Sequence, residues 1–346
     1  MNREADFTSA LYLGMRHGRA ALDDWPALTL GKPAALAEVP GARTVARELA
    51  ALQGCAAATL LPSTLHLFWD LFGMLARDRY LVLVDDAAYP VARWGAERAA
   101  ALGLPLRAFR AGEMRELERL AGLAAGMGRR PLILADGYCP GLGRAPPLAR
   151  YAALAARAGG VLLLDDTQPL GVLGRRGGGS VVAHGLAGAP VIVGASLAKG
   201  FGVPLAVLAG SAELVRRFEA CSDTRLHASP PPVATVIAAR HALRLNAACG
   251  NALRRVLLRR IVQFRAALAD QGIGCGGGVF PVQAVQLPPG MDLAAAHAAL
   301  RRDGVLAVPQ CRGRTALLAF LLRADHTGDD IARAARALRH HVKELA

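Results

Sequence analysis

Short apolar runs alternate with amphipathic stretches through the first two thirds of the chain. The runs rich in Val, Ile and Leu that predict buried strands are residues 80–84, 131–135, 161–164, 191–193 and 205–209. The stretches that predict helices are residues 43–52, 65–75, 90–102, 114–125 and 148–158. Because strands and helices alternate, the pattern predicts an α/β fold whose central sheet is mostly parallel and covered by helices on both faces.

The pattern changes at both ends of the chain. Residues 1–40 are punctuated by prolines and predict an irregular N-terminal arm. Pro230, Pro231 and Pro232 then separate a large α/β domain, expected over residues 41–229, from a small α+β domain over residues 230–346.

The small domain is expected to begin with one long helical stretch over residues 233–269, with a break near Gly250 as an open alternative. The segments that follow predict strand, helix, strand, strand and helix, at residues 280–287, 293–302, 305–308, 317–322 and 329–345. This order is typical of an α+β domain.

Four polar residues directly follow predicted strands of the large domain. They are Asp85, Asp136, Asp165 and Ser196. Ligands of parallel sheets gather at the carboxyl ends of the strands. These side chains therefore predict a site at one edge of the sheet.

A single lysine, Lys199, stands between two of the apolar runs, in Ser196-Leu197-Ala198-Lys199-Gly200-Phe201-Gly202. Burying an ammonium group is costly, and a desolvated lysine amine is the group that forms Schiff bases with carbonyl compounds. The alternative interpretation is a solvated lysine at the start of an exposed loop.

A net charge of +14, from 41 basic and 27 acidic residues, would attract an anionic partner such as a phosphate cofactor, coenzyme A or an acidic carrier protein. The arginines are scattered, so a solvated arginine-rich surface explains the charge as well. No nucleic-acid motif accompanies them, and we do not expect a nucleic-acid partner.

Cysteine spacing and the N-terminal sequence predict a cytoplasmic protein. The six cysteines lack metal-ligand spacing and are expected to be reduced thiols: Cys55, Cys139, Cys221, Cys249, Cys275 and Cys311. Residues 1–6 lack an apolar signal core. The uncharged segment 180–198 contains Pro190 and is interpreted as loop and buried strand, so we expect neither a membrane span nor a metal site.

Two motifs resemble the α-oxoamine synthase family, which includes 8-amino-7-oxononanoate synthase and serine palmitoyltransferase. Residues 164–174, Leu-Asp-Asp-Thr-Gln-Pro-Leu-Gly-Val-Leu-Gly, are similar to the family's Asp-Asp/Glu-Ala-His-x-x-Gly-x-x-Gly. Residues 195–202 are similar to its Gly-Thr-x-x-Lys-x-Phe-Gly. The resemblance implies a fold-type I transferase dependent on pyridoxal 5′-phosphate (PLP), with a homodimer that shares its active sites.

The resemblance implies a role for each matching residue. Lys199 would form the Schiff base with PLP and move the proton at the substrate Cα. Asp165 would pair with the pyridine nitrogen and keep it protonated. Gln168 stands where the family has a histidine at the phenolic oxygen, and Tyr89 where a histidine stacks on the ring; a core or rim tyrosine is the alternative for Tyr89.

Other matches imply contacts to the PLP phosphate. Ser63 and Thr64 stand where the family has a Ser-Gly pair at a helix start, although capping of the helix explains them equally well. Ser196 replaces a threonine. Ser229 is the one plausible donor left from a motif that reaches the phosphate of the other subunit.

The anchors for the substrate carboxylate depart from the family pattern. The asparagine of Ser-Asn-Asp-Tyr-Leu-Gly is Ala10, and the family arginine falls at Leu317. Leucine cannot replace a bidentate guanidinium. Arg312 and Arg314, with Arg323, are the candidate replacements.

The resemblance thus implies joining of an amino acid to an acyl thioester, delivered by coenzyme A or a carrier protein, with loss of carbon dioxide. An aminotransferase or decarboxylase-type tailoring enzyme is an alternative because it would use the same lysine and aspartate. A degenerate binding module without catalysis is the third hypothesis.

Overall fold

A computed structural model describes residues 4–312 and 315–343, and of Arg312 and Lys343 the backbone alone. The chain forms two compact units. The larger unit comprises residues 16–139 and 145–248, and the smaller comprises residues 1–15, 140–144 and 249–346. The domain boundaries expected at residues 40 and 229 do not coincide with these divisions, and they stay predictions.

Twelve strands form among the described residues. Their bounds are β1 Ala5–Asp6, β2 Ala57–Leu61, β3 Tyr80–Asp85, β4 Leu106–Phe109, β5 Arg130–Asp136, β6 Val161–Asp165, β7 Val191–Ser196, β8 Ala206–Gly210, β9 Val282–Gln286, β10 Val305–Leu306, β11 Val308–Arg312 and β12 Thr315–Leu321.

Eleven α-helices accompany them in the same residues. Their bounds are α1 Ala42–Gln53, α2 Thr64–Leu75, α3 Pro90–Ala101, α4 Met114–Gly126, α5 Leu148–Arg157, α6 Ser180–Ala183, α7 Ala212–Cys221, α8 Asp223–His227, α9 Val233–Ala269, α10 Leu293–Arg302 and α11 Gly328–Leu338. None of these helices combines the length and the apolar character that crossing a bilayer requires.

The larger unit is built on a seven-stranded sheet of order β2-β8-β7-β6-β5-β3-β4. Neighbours from β7 to β4 are parallel, whereas β8 runs antiparallel to both β7 and β2. The predicted α/β fold with a mostly parallel sheet is confirmed.

Alternate residues of the central strands pack on opposite faces of this sheet. In β3, Val82 and Val84 join a core with α2 and α3. Leu81 and Leu83 of the same strand join a second core with α4 and α5. Side chains alternate along a strand, so a strand buried on both faces needs the continuous apolar run seen in the sequence.

The smaller unit contains two short sheets. An antiparallel sheet has the order β11-β12-β9, and β1 pairs in parallel with β10. The N-terminal segment, predicted to be irregular, therefore begins with a paired strand. The predicted strand 305–308 is two strands, interrupted at Ala307.

The long helix α9 confirms the predicted helical stretch 233–269, and it passes through Gly250 without the break that the sequence left open. It is continuous from Val233 to Ala269. One glycine costs a helix only about 1 kcal/mol, and Ala, Leu and Arg around Gly250 are strong helix formers.

Further differences concern short or edge elements. Strands β2 and β4 and helices α6, α7 and α8 were not predicted. Strand β4 is a half-exposed edge strand of four residues, which leaves little apolar pattern. The predicted closing helix 329–345 is α11 followed by a π-helical turn over Arg339–Lys343, and its last two residues lie outside the described residues.

The contact between α2 and α3 depends on Gly95. A Cβ atom there would lie 2.6 Å from Cδ2 of Phe72 and 2.9 Å from the carbonyl oxygen of Phe68. We expect Gly95→Ala to lower the free energy of unfolding by about 1–3 kcal/mol, because the helices must move apart. Denaturant unfolding measures the change.

The matched control is Gly122→Ala, in the exposed middle of α4, where no atom lies within 4 Å of the added methyl group. This variant should be neutral or stabilised by up to about 1 kcal/mol. Equal effects of the two substitutions would contradict the close contact.

Candidate active site

Lys199 lies in a tight turn between β7 and β8. The Leu197 N–H donates to the Leu205 carbonyl at 2.8 Å, and the Phe201 N–H donates to the Leu197 carbonyl at 3.1 Å. Burial lowers the pKa of Lys199, while the charges of Asp165 and Asp136 act in the opposite direction. The amine is therefore half-buried beside two carboxylates, and more of it is in the neutral, nucleophilic form than in an exposed lysine.

The two carboxylates end adjacent parallel strands. Asp136 of β5 and Asp165 of β6 are register partners, and both are buried. Burial raises the pKa of each, and the neighbouring Asp165 charge raises the pKa of Asp136 further. Nearby positive charge is what would keep both groups ionised.

Thr167 connects the ends of two neighbouring strands. Its N–H donates to Oδ1 of Asp165 at 3.0 Å, and its Oγ1 accepts from the Ser196 N–H at 3.0 Å. One residue thus fixes the Asp165 carboxylate relative to the strand that leads to Lys199. The sequence analysis did not identify Thr167, and its position two residues after Asp165 was the available signal.

Tyr89 faces the lysine from another loop. Nζ of Lys199 lies 5.9 Å from the centre of its ring. The backbone N–H of Tyr89 donates to Oδ1 of Asp136 at 3.0 Å, while the side chain is 55% exposed. Tyr89 is therefore not a core tyrosine, and its ring is open to a flat ligand.

Two glycines allow the lysine turn to approach the segment after Asp165. A Cβ at Gly200 would lie 2.3 Å from the Leu170 carbonyl oxygen, and one at Gly171 would lie 2.9 Å from Cα of Gly200. Gly171 also has a φ of +88°. Gln168, half-buried, lies in this same segment.

The residues expected at the phosphate occupy separate places. Ser63 caps α2, its Oγ accepting from the His66 N–H at 3.4 Å, and Thr64 is the first residue of that helix. Oγ of Ser196 accepts from the Ala198 N–H at 3.2 Å. Ser229 is exposed beyond α8. Among the described contacts, none joins Ser63, Thr64 or Ser229 to Lys199, so their roles stay predictions.

Asp85, the other polar residue expected at this edge, lies close enough to Asp136 for its charge to raise the pKa of that carboxyl, but it makes its own hydrogen bonds with other groups. Its carboxylate accepts from the Tyr151 hydroxyl at 3.2 Å and from the Ala87 N–H at 3.0 Å. This network shapes the turn after β3.

The structure gives little support to the arginines that were expected to bind the substrate carboxylate. Arg314 and the side chain of Arg312 lie outside the described residues. Arg323 is 5% exposed, and its guanidinium donates to the Asp6 carbonyl and to Asp325, each at 2.8 Å. These bonds tie the N-terminal strand to the rest of the smaller unit, and the guanidinium is buried by this structural role.

Asp166 is a buried acid that the sequence analysis did not single out. Its Oδ2 accepts from the Ser180 N–H at 2.9 Å, whereas its Oδ1 has no hydrogen-bond partner among the described residues. A Cβ at Gly179 would lie 2.0 Å from this carboxylate. Burial raises the pKa of Asp166 to about 6.

From the sequence we expect neither a metal site nor disulfides in the described residues. There, no group of three or more His, Cys, Asp or Glu residues is arranged to hold a metal ion. All six cysteines are described, and none of them forms a disulfide.

The sequence of this chain matches the profile of a known protein family. Residues 75–338 match the sequence profile of the aminotransferase class I and II family. The chain belongs to this family. The predicted dependence on PLP and the predicted transferase class are confirmed at this level.

Curated relatives narrow the resemblance. The chain is 34% identical over 219 residues to the 8-amino-7-oxononanoate synthase of Halorhodospira halophila, covering 61% of this chain and 54% of the relative. It is 34% identical over 236 residues to that of Alkalilimnicola ehrlichii, covering 66% and 59%. The matches thus span little more than half the length of these relatives. They support the predicted membership of the α-oxoamine synthase family.

Solved structures agree on the fold. A serine palmitoyltransferase from S. paucimobilis with bound PLP and myriocin superposes with a TM-score of 0.87, covering 97% of this chain and 86% of that one. Its sequence identity of 18% supports the shared fold alone.

The residues at this edge of the sheet fit PLP. A half-buried amine of lowered pKa suits the cofactor aldehyde, and the open Tyr89 ring suits its flat face. The desolvated Asp165 carboxylate is suited to a protonated ring nitrogen, because a cation there offsets the cost of its burial.

The buried Asp166 carboxylate predicts an unusual pH dependence of stability. Its folded pKa of about 6 lies above the ordinary value of 3.8, so the folded protein binds the extra proton between these values. Stability from this group is therefore full below pH 3.8 and is lost as the pH rises to about 6. The shift corresponds to about 3 kcal/mol.

Asp166→Asn removes this titration. Relative to the wild type, the variant should gain up to about 3 kcal/mol in free energy of unfolding as the pH rises from 4 to 7. Denaturant unfolding at several pH values measures the gain. Asp86→Asn, at an exposed carboxylate after β3, is the control and should not gain. A difference for Asp166→Asn that is constant with pH would contradict the prediction.

Proposed function

We propose that the protein joins an amino acid to an acyl thioester by PLP-dependent condensation, releasing carbon dioxide and the free thiol and giving an α-amino ketone. The acyl donor would be acyl-coenzyme A or an acyl-carrier protein. The relatives named 8-amino-7-oxononanoate synthase support this reaction class.

The observation that carries the proposal is the half-buried Lys199 amine beside Asp165 and Asp136. Bound PLP would supply the electron-withdrawing ring that stabilises negative charge at the substrate Cα. Asp165 would hold the ring nitrogen in its cationic form, and Thr167 would orient that carboxylate. Lys199 would carry the cofactor and move the proton at the substrate Cα, since burial lowers the pKa of its amine and makes the neutral form, which accepts a proton, more available.

Tyr89 and Gln168 would complete the site. The exposed Tyr89 ring would stack on the cofactor, and the Gln168 amide would donate to its phenolic oxygen without titrating. Ser63, Thr64 and Ser196 would hold the phosphate, with Ser229 contributed between subunits of a homodimer. The mass of the PLP-loaded protein in solution checks the dimer.

The substrate carboxylate must be held differently from the family pattern. Leu317 is paired with Gln286 across β12 and β9, and both line a cavity of about 550 Å³ within the smaller unit. An amide beside a leucine suits a neutral group better than a carboxylate. This observation favours a second candidate, an aminotransferase-type tailoring enzyme acting on an amine; the decarboxylase-type alternative would still need a carboxylate on its substrate.

The substitutions Lys199→Ala and Asp165→Asn test the site. After incubation with PLP and borohydride reduction, intact-mass analysis should find the cofactor on the wild type but not on Lys199→Ala. Asp165→Asn should bind PLP more weakly and lose roughly 10²-fold or more in turnover, because the ring nitrogen loses its counter-charge. Asp86→Asn should behave as the wild type. Trapping that persists in Lys199→Ala would move the reacting amine elsewhere.

Product analysis tests the reaction. The PLP-loaded protein is given a panel of amino acids and amines, with acyl-coenzyme A or acyl-carrier protein. Thiol release that requires both substrates, with equal release of carbon dioxide, is the expected result. Formation of a keto or decarboxylated product without any thioester would instead select the second candidate or the decarboxylase-type alternative, respectively.

A further inference from the structure

Two histidines meet at the turn that carries Lys199. Nε2 of His17 lies 2.7 Å from the Phe201 carbonyl oxygen, and Nδ1 of His17 lies 3.0 Å from Nδ1 of His241. His17 belongs to the N-terminal segment and His241 to α9, and all three residues lie within the larger unit. The catalytic roles above use neither histidine.

Hydrogen-bond chemistry fixes the direction of these contacts. A carbonyl oxygen only accepts, so Nε2 of His17 must carry the hydrogen. In neutral His17 the other nitrogen, Nδ1, is then an acceptor, and Nδ1–H of His241 must be the donor. His241 thus selects the one neutral tautomer of His17 that can bind Phe201.

The bond to Phe201 holds the lysine turn from outside. Phe201 is fully buried and closes the turn through its own N–H bond to the Leu197 carbonyl. The lysine lies two residues earlier, and Gly200 between them packs against the Leu170 carbonyl. Fixing the Phe201 carbonyl therefore limits how far the backbone of Lys199 can move.

We propose that His17 and His241 are positioning residues, a two-ring clamp that holds the turn of Lys199 in place. The clamp rests on the proposed function only in taking Lys199 as the reacting amine.

The clamp should weaken with acid. One added proton is accommodated at Nε2 of His241, because its Nδ1–H still donates to His17. A second proton would have to bind Nδ1 of His17. Both nitrogens of the 3.0 Å contact would then carry hydrogens, and the hydrogen bond would break. The charged groups facing His241 are Arg244, which opposes protonation, and Asp23, which favours it; Arg240 pairs with Asp23.

The pKa of His241 agrees in direction. Burial lowers it, and His17 and Arg244 lower it further, so His241 is neutral at physiological pH. The folded pKa of His241 lies below the ordinary 6.5. The contribution of His241 to stability is therefore present above pH 6.5 and is lost as the pH falls from 6.5 through the folded pKa.

Hydrogen exchange of residues 197–203 in the PLP-free protein tests the clamp directly. His241→Leu removes the donor to His17 and should speed exchange about fivefold, the effect of one ordinary hydrogen bond. His241→Asn is the matched control, because its amide can donate from nearly the position of Nδ1; exchange should stay within twofold of the wild type. Exchange in His241→Leu equal to the wild type would overturn the proposal.

The pH profile of PLP capture by Lys199 is the second readout. The wild-type rate constant should fall on acidification more steeply than that of His241→Asn, whose amide oxygen can accept from His17 when both nitrogens of His17 carry hydrogens. Parallel profiles would overturn the pH-dependent part of the clamp.

A second pair of variants covers the case in which His241→Leu does not fold. His17→Gln keeps an N–H donor near the position of Nε2, whereas His17→Leu does not. Slower exchange of residues 197–203 in the glutamine variant supports the clamp, and equal exchange overturns it. Since exchange is measured without cofactor, its result stands whether or not the proposed condensation is found.

Discussion

The site depends on a single electrostatic arrangement: a lysine amine withdrawn from water beside two carboxylates that are themselves desolvated. Burial makes the charged form of each group costly, and their opposite charges partly offset that cost. The arrangement requires Lys199, Asp136 and Asp165 to be brought to one edge of the sheet. Parallel strands provide this, because β5 and β6 end in register and β7 leads into the lysine turn.

Close backbone packing keeps this arrangement rigid. Gly200 and Gly171 let the lysine turn approach the segment after Asp165 to distances that any side chain would prevent. Thr167 then joins the ends of β6 and β7 through two hydrogen bonds. Catalytic groups need to be held by packing and supporting hydrogen bonds to within fractions of an ångström, and these residues supply that support.

The chemistry of this site is shared by many reactions of the family, so specificity must come from elsewhere in the chain. Ala10 and Leu317 stand where the resemblance implies carboxylate anchors, and Arg323 is occupied by structural bonds. With the proposed roles, the chain would combine groups for the cofactor ring with an altered place for the substrate. This combination makes the substrate class the central experimental question.

The sequence by itself determined the α/β class, most element positions and the candidates Lys199 and Asp165, because continuous apolar runs and the two motifs are local signals. It could not determine the unbroken helix at Gly250 or the edge strand β4, where tertiary packing outweighs weak local preferences. The roles of Asp136, Thr167, Arg323 and the His17–His241 contact were likewise decided only by the tertiary structure. Each depends on which distant group lies within hydrogen-bonding or charge range, and spacing along the chain carries no such information.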